Sequence, residues 1–277
     1  MLDIIGTRHA RLLETALATH IPIQRGNRLL NFNILPPASF LLFFNNTLPE
    51  NELDIDGYDN VHTQFRRDYP NAYELRWRQG SIHAVKSLTI GDAECIENST
   101  VQSISANRKH LNLTRKIYSN SGLFLTEFRE YVYLRKGTKL QKLIKNIKPE
   151  TFIPESLPKN IPVHTHKVNL TDTLVFRYSA LTFNAHKIHY NQKYAESEGL
   201  ASPIVQGPLL LTLAMRWIYE ISKGKTILKY EYKNMHPVPV NETVTMILAN
   251  QKLYMTNSLG QLVHSGEVCL EPEEVSL

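Results

Sequence analysis

The stretch Phe176-Arg-Tyr-Ser-Ala-Leu-Thr-Phe-Asn-Ala-His-Lys-Ile-His-Tyr190, followed after a loop by Pro203-Ile-Val-Gln-Gly-Pro-Leu-Leu-Leu-Thr-Leu-Ala-Met-Arg-Trp217, decides how this chain is read. It sets a loop histidine, His189, shortly before the Gly207-Pro208 pair that opens an apolar helix. Proline is favoured in a first helical turn because its missing N–H would be unpaired there anyway. Glycine before it lets the backbone come close to a ligand. Leu209, Leu210, Leu213, Ala214, Trp217, Ile218 and Ile221 cover a broad face, so burial of this helix is expected, with its end near Lys223-Gly224. An imidazole titrates near neutrality and can take and return a proton. A helix start offers backbone N–H groups and the positive end of the dipole. Together they suit proton transfer beside a carbonyl whose oxygen must hold negative charge. Pro208 has no N–H, which leaves Gly207 as the expected donor.

Outward from this stretch, Val163–Asn169 reads as a strand and the helix from Leu170 to Leu181 as capped by Thr171. A short helix is expected around Asn191–Glu198, then three closing strands, Thr226–Asn234, Glu242–Lys252 and Leu262–Leu270. In the first half, a helix is expected from Asp3, as N-cap, to Thr19, stopped by Pro22. An apolar segment around a Pro36-Pro37 turn follows, and Leu48 to Asn71 reads as polar surface loop. Strands Glu74–His83, Ala93–Arg108, Lys109–Ser119 and Leu123–Leu134 come next, the last two forming a hairpin at Asn120-Ser121-Gly122. Lysines at 136, 139, 142, 145 and 148 and prolines at 149, 154, 158 and 162 mark a linker. The order of strand, turn and two long strands around a glycine turn occurs in both halves, so an internal repeat is expected. The first copy shows no counterpart of the apolar helix, which would leave room for a long apolar ligand.

The 277 residues, 42% hydrophobic and 21% charged, supply an ordinary globular core. No apolar run reaches the length of a membrane span. The net charge of +5 carries no long basic run, so nucleic acid is not an expected partner. Cys95 and Cys269 are too few for a disulfide framework. Arg8, Arg11, Arg25 and Arg28, with Asp3 and Glu14 the only acids before residue 30, make a faint organelle-import pattern.

The segment Thr182-Phe-Asn-Ala-His-Lys-Ile-His189 with the later Gly207 resembles the motif of MaoC-like hot-dog-fold (R)-specific hydratases and dehydratases. In length and two-copy layout the whole chain is similar to fungal mitochondrial 3-hydroxyacyl-thioester dehydratases. The resemblance implies an α+β double hot-dog fold, a curved antiparallel sheet wrapping a central helix, with the first copy lacking the motif helix. It implies a degenerate half over 1–137, a linker over 138–162 and a motif-bearing half over 163–277. It implies a hydro-lyase acting on an acyl thioester carried by acyl carrier protein or CoA, with no further cofactor, in the mitochondrial matrix. A homodimer is compatible with it. Carried over by residue, His189 matches the family histidine and Gly207 the glycine facing the thioester oxygen. Asn184 stands where most members have a catalytic Asp, His186 where they have Asn, and Gln206 where many have His.

The catalytic candidates are thus His189, Asn184 and Gly207; the substrate-side candidates are His186, Gln206, Pro208 and Arg177. An amide cannot shuttle a proton, so Asn184 is expected to orient the leaving hydroxyl or attacking water. His186 is a candidate second titrating group. Arg177, Lys187 and Lys193 suit a phosphate of the carrier, although such residues are usually solvated. His164, His166, His186 and His189 suggest a zinc site only weakly, because no cysteine joins them, and no metal is expected. The alternatives are a CoA-specific enoyl or dicarboxylyl hydratase and a non-catalytic acyl-thioester-binding protein.

Overall fold

Strand order reveals the repeat. The computed structural model describes residues 1–22, 35–59, 61, 72–86, 89–139, 148, 150–152 and 160–272. Ten strands form one sheet: β1 Leu2–Ile5, β2 Tyr73–Ala84, β3 Gly91–Ser105, β4 Arg108–Ser119, β5 Gly122–Arg135, β6 Val163–Asn169, β7 Ile227–Asn234, β8 Thr243–Ala249, β9 Lys252–Thr256 and β10 Leu262–Leu270. Their order is β1-β3-β4-β5-β2-β7-β10-β9-β8-β6. From its outer edge inward, each half therefore places its first, third, fourth, fifth and second strand. The halves meet where β2 pairs antiparallel with β7, Gln79 opposite Lys233 and His83 opposite Lys229.

Four α-helices are described: α1 Thr7–Leu17, α2 Asp172–Leu181, α3 Gln192–Ser197 and α4 Gly207–Ile221. Helix α4 starts at the Gly-Pro pair, and 11 of its 15 residues are buried, consistent with its apolar sequence. Its one basic residue, Arg216, is fully buried. It donates from Nε and Nη2 to Glu14 of α1 at 2.8 and 2.7 Å and also pairs with Glu220. This ties the first half's helix to the second half's.

Three expectations need correction. The chain opens with strand β1, not a helix from Asp3; Asp3 instead accepts the Phe44 N–H at 2.9 Å. Pairing along β3, Leu2 opposite Glu94, outweighs local helical pattern there. The run Glu242–Lys252 is broken by a two-residue turn at Asn250-Gln251, both with positive φ (44° and 66°), so β8 and β9 form a hairpin. The loop after residue 48 is not wholly surface, since Asp56 is buried. The basic and proline-rich stretch mostly lies outside the described residues, as do residues 29–34 of the segment before Pro36, part of the 48–71 loop and Ser87-Leu88.

Between α1 and β2 the first half has, among the described residues, two short 3-10 turns, Ser39–Leu42, all buried, and Glu50–Glu52, where the second half has α4. Below the first turn lies a charged layer. Arg115, 1% exposed, donates to the carbonyls of Phe44 at 2.9 Å and Phe43 at 3.4 Å, receiving the free end of the turn. It also pairs with Glu127 at 3.3 Å and Glu97 at 3.2 Å, and Glu127 binds Arg129 at 2.6 Å. Removing Arg115 takes a buried cation away from Glu127 and Glu97 and a donor from the Phe43 and Phe44 carbonyls. Arg115→Ala is therefore expected to cost about 3–5 kcal/mol, read as a lowered urea midpoint; a cost under about 1 kcal/mol would overturn this account.

Candidate active site

One cleft of about 1810 Å³ runs between the halves. From the second half it is lined by the motif loop, the start of α4 and Asn234; from the first half by Tyr58, Trp77, Arg129 and Tyr131. Leu41, Phe44, Leu111 and Leu113 of the first half line it too, so that wall joins apolar and aromatic side chains with the charged Arg129. Arg129 lies 4.8 Å over the Trp77 ring.

The motif loop leaves α2 through a tight C-terminal turn. Asn184 N–H donates to Ser179 O at 2.9 Å and Phe183 N–H to Ala180 O at 3.4 Å. This is the Schellman pattern, with Phe183 in the left-handed position (φ 52°) that glycine usually holds. The strain of a bulky residue there sets the direction of the loop that follows. Asn184 Oδ1 accepts the His186 N–H at 3.0 Å, so the side chain closes the loop, and its NH₂ group has no hydrogen-bond partner among the described residues.

His189 sits at the end of a 3-10 turn, Lys187–His189, and is partly buried. Its Nδ1–H donates to the Ile204 carbonyl at 2.8 Å. A carbonyl only accepts, so Nδ1 carries the proton and Nε2 holds the lone pair. Nε2 has no hydrogen-bond partner among the described residues. Burial, and next the charge of His186, push the imidazole down to about 3, against the Ile204 bond, which favours the charged form. His189 is therefore neutral at physiological pH, as a base must be. Ile204 is itself fixed, its N–H donating to Ile188 O at 3.0 Å.

At the start of α4, the Gly207 N–H also has no partner among the described residues. A Cβ on Gly207 would lie 2.9 Å from Asn234 Nδ2, so a side chain there forces a shift. A buried chain fixes Asn234. Its Nδ2 donates to Trp77 O at 3.1 Å and its Oδ1 accepts from His264 Nδ1 at 2.8 Å, while His264 Nε2 meets Tyr230 Oη at 3.0 Å. His264 is fully buried, and burial pushes it down to about 3. With one ring proton, on Nδ1, it receives the Tyr230 hydroxyl at Nε2, and every group in the chain is matched.

The structure brings His189, Asn184, His186, Gly207 and Pro208 to this one cleft. Gln206 is elsewhere: it is 1% exposed and donates to Val175 O at 2.9 Å and Ser179 Oγ at 2.7 Å, joining α4 to α2. Arg177 is exposed on α2 and does not line the cleft. Lys187 Nζ donates to Ile55 O at 2.7 Å, and Lys193 is exposed. Sequence reasoning missed Asp56, whose carboxylate lies 3.4 Å from His186 Nε2, and Asn234. Neither has a local signature: one sits in a turn-like Asp-Ile-Asp-Gly, the other at a strand end.

Among the described residues no helix is long and apolar enough to cross a membrane. The chain is 28% identical to the mitochondrial hydroxyacyl-thioester dehydratase type 2 of Schizosaccharomyces pombe, over 89% of this chain and 88% of that protein. It is 30% identical to the mesaconyl-C(4)-CoA hydratase of Chloroflexus aurantiacus, over 74% of this chain and 71% of that one. Two solved structures share the fold at 12% identity. One is a MaoC-like dehydratase from Phytophthora capsici (TM-score 0.70, 99% of this chain and 95% of that one). The other is a double hot-dog protein from Mycobacterium tuberculosis (TM-score 0.56, 98% and 93%). The fold is thus a double hot-dog, α+β with one long antiparallel sheet. The pattern of the hydroxyacyl-thioester dehydratase type 2 family matches residues 38–240, and the chain belongs to that family of hydro-lyases.

Proposed function

We propose that this chain catalyses the reversible dehydration of (3R)-hydroxyacyl thioesters on acyl carrier protein to trans-2-enoyl thioesters, in mitochondrial type II fatty acid synthesis. The observation that carries this is His189, with Nδ1 pinned, in one cleft with the Gly207 N–H, Nε2 and that N–H both unpartnered among the described residues. Nε2 removes the C2 proton. The electron density that moves onto the thioester oxygen is held by the Gly207 N–H at the positive end of α4. Asn184 offers its NH₂ group to the leaving hydroxyl, and Pro208 and His186 shape the substrate side. In this reading α4 is the helix gripped by the second half's sheet. Residues 1–137 then form a half whose motif helix is reduced to the Ser39–Leu42 turn, joined through 138–162 to the half at 163–277. The mitochondrial names of two relatives support placement in the matrix.

A second reading, a CoA-specific hydratase for a dicarboxylic acyl group, is favoured by the mesaconyl-C(4)-CoA hydratase likeness and by Arg129 on the cleft wall. Turnover is measured on trans-2-enoyl thioesters of several chain lengths, on acyl carrier protein and on CoA. Faster turnover of carrier-bound monocarboxylic chains is expected. A preference for short dicarboxylyl-CoA selects the second reading. Binding without turnover of any of them sinks both and leaves an acyl-binding protein.

A further inference from the structure

Elimination of the 3-hydroxyl needs a proton donor, and the motif loop offers no carboxylic acid: position 184 is an amide whose oxygen already accepts the His186 N–H. The first half brings a carboxylate to the same place. Asp56, 4% exposed, puts Oδ2 at 3.4 Å from His186 Nε2, and its Oδ1 accepts the Tyr58 N–H at 3.0 Å. The two loops are locked together. Lys187 N–H donates to the Asp56 carbonyl at 2.7 Å, and Lys187 Nζ to Ile55 O at 2.7 Å. Between them Gly57, at φ +77°, comes so close that a Cβ would lie 2.3 Å from Ala185 O.

His186 itself is 7% exposed and lines the cleft. Its ring meets that of His189 edge to face, 5.5 Å between centroids. Among the described residues, the other groups facing it are Tyr58 at 5.3 Å and Tyr194 of α3 at 6.0 Å, with the Lys136–Glu198 pair beyond Tyr194. His186 Nδ1 has no hydrogen-bond partner among the described residues.

We propose that His186, with the Asp56 carboxylate of the first half against its Nε2, is the acid that protonates the departing 3-hydroxyl, with Asp56 as its positioning residue. The proposal rests on the dehydratase reading above. His189 Nε2 takes the C2 proton. The electron pair left behind forms the C2–C3 double bond, and the C3–O bond breaks with its pair on oxygen. The Nδ1 proton of His186 goes to that oxygen, and water leaves. His189 is then protonated and His186 neutral, and one proton returned from the first to the second through the open cleft resets the site. A buried carboxylate beside an imidazole favours its charged form. Its charge is also one of the two causes that hold His189 neutral. Two like groups driven apart by their surroundings are how one site carries both an acid and a base.

The test is the pH dependence of kcat for dehydration of a 3-hydroxyacyl-CoA by wild type, Asp56→Asn and Asp56→Glu. The acid must be protonated in this direction, so activity is expected to fall on the alkaline side. Asp56→Asn is expected to lower kcat about tenfold or more with KM little changed. It should move the alkaline limb about one unit toward acid, and Asp56→Glu should restore part of the shift. A lowered kcat with an unmoved limb overturns the proposal and leaves Asp56 a loop clasp. If Asp56→Asn fails to fold, His186→Gln is assayed: a kcat lowered about tenfold or more with KM little changed is expected, and an unchanged kcat overturns the proposal. A wild type that turns over no 3-hydroxyacyl thioester fails at the dehydratase reading, not at Asp56.

Discussion

Replacing His189 by alanine is expected to lower kcat for hydration of a trans-2-enoyl thioester by about 10³-fold, the loss typical of a general acid–base group. KM should change little, because the ring contributes a proton site more than contact area. Equal rates in wild type and variant would remove His189 from the chemistry. A separate readout distinguishes this from misfolding. The folded-state pKa of His189 is depressed to about 3. Between that value and about 6.5 the unfolded chain binds the extra proton, so native stability falls as pH drops through this window. The alanine variant lacks this contribution, and its thermal midpoint should fall less steeply with acid than the wild type's.

Gly207→Ala is expected to cost about 10²–10³-fold in kcat, the loss seen when one oxyanion donor is removed. The methyl would lie 2.9 Å from Asn234 Nδ2. A flexible side chain would move aside, but Asn234 is held at both ends, by Trp77 O and by His264 Nδ1. Moving it would leave His264, buried against Tyr230, without its partner. The start of α4 is therefore expected to shift instead, carrying the Gly207 N–H off the thioester oxygen. Combining Gly207→Ala with Asn234→Ala relieves the clash and should recover part of the lost rate. A single Gly207→Ala variant with near wild-type kcat would show that this N–H holds no developing charge.

Much of the site was legible because its signals are local. A Gly-Pro pair before an apolar run marks a helix start whatever lies around it, and α4 begins there. Thr171 caps α2 by accepting the Leu174 N–H at 3.2 Å, a bond between residues three apart. Strands β4 and β5 carried their hairpin signal in a glycine turn. Where the signal was weak, local pattern misled. Asn250-Gln251 contains no glycine, so two strands read as one, and Asp3 looked like a helix cap although its partner is Phe44.

By itself the sequence determined the motif loop, the helix that follows it and the repeated order of strands, because each depends on neighbours along the chain. Only the tertiary structure decided what faces His186 and Gly207. Asp56 reaches His186 from 130 positions earlier, and Asn234 is oriented by Trp77 across the β2–β7 seam, 157 positions away. Gln206 and Arg177 looked equally suited to a ligand, yet one is buried against α2 and the other faces solvent. The physical reason is that the direction of a side chain is set by how helices and sheet pack, and no spacing along the chain encodes it. The chain alone placed an amide where an acid was expected; the fold set a carboxylate beside the neighbouring histidine.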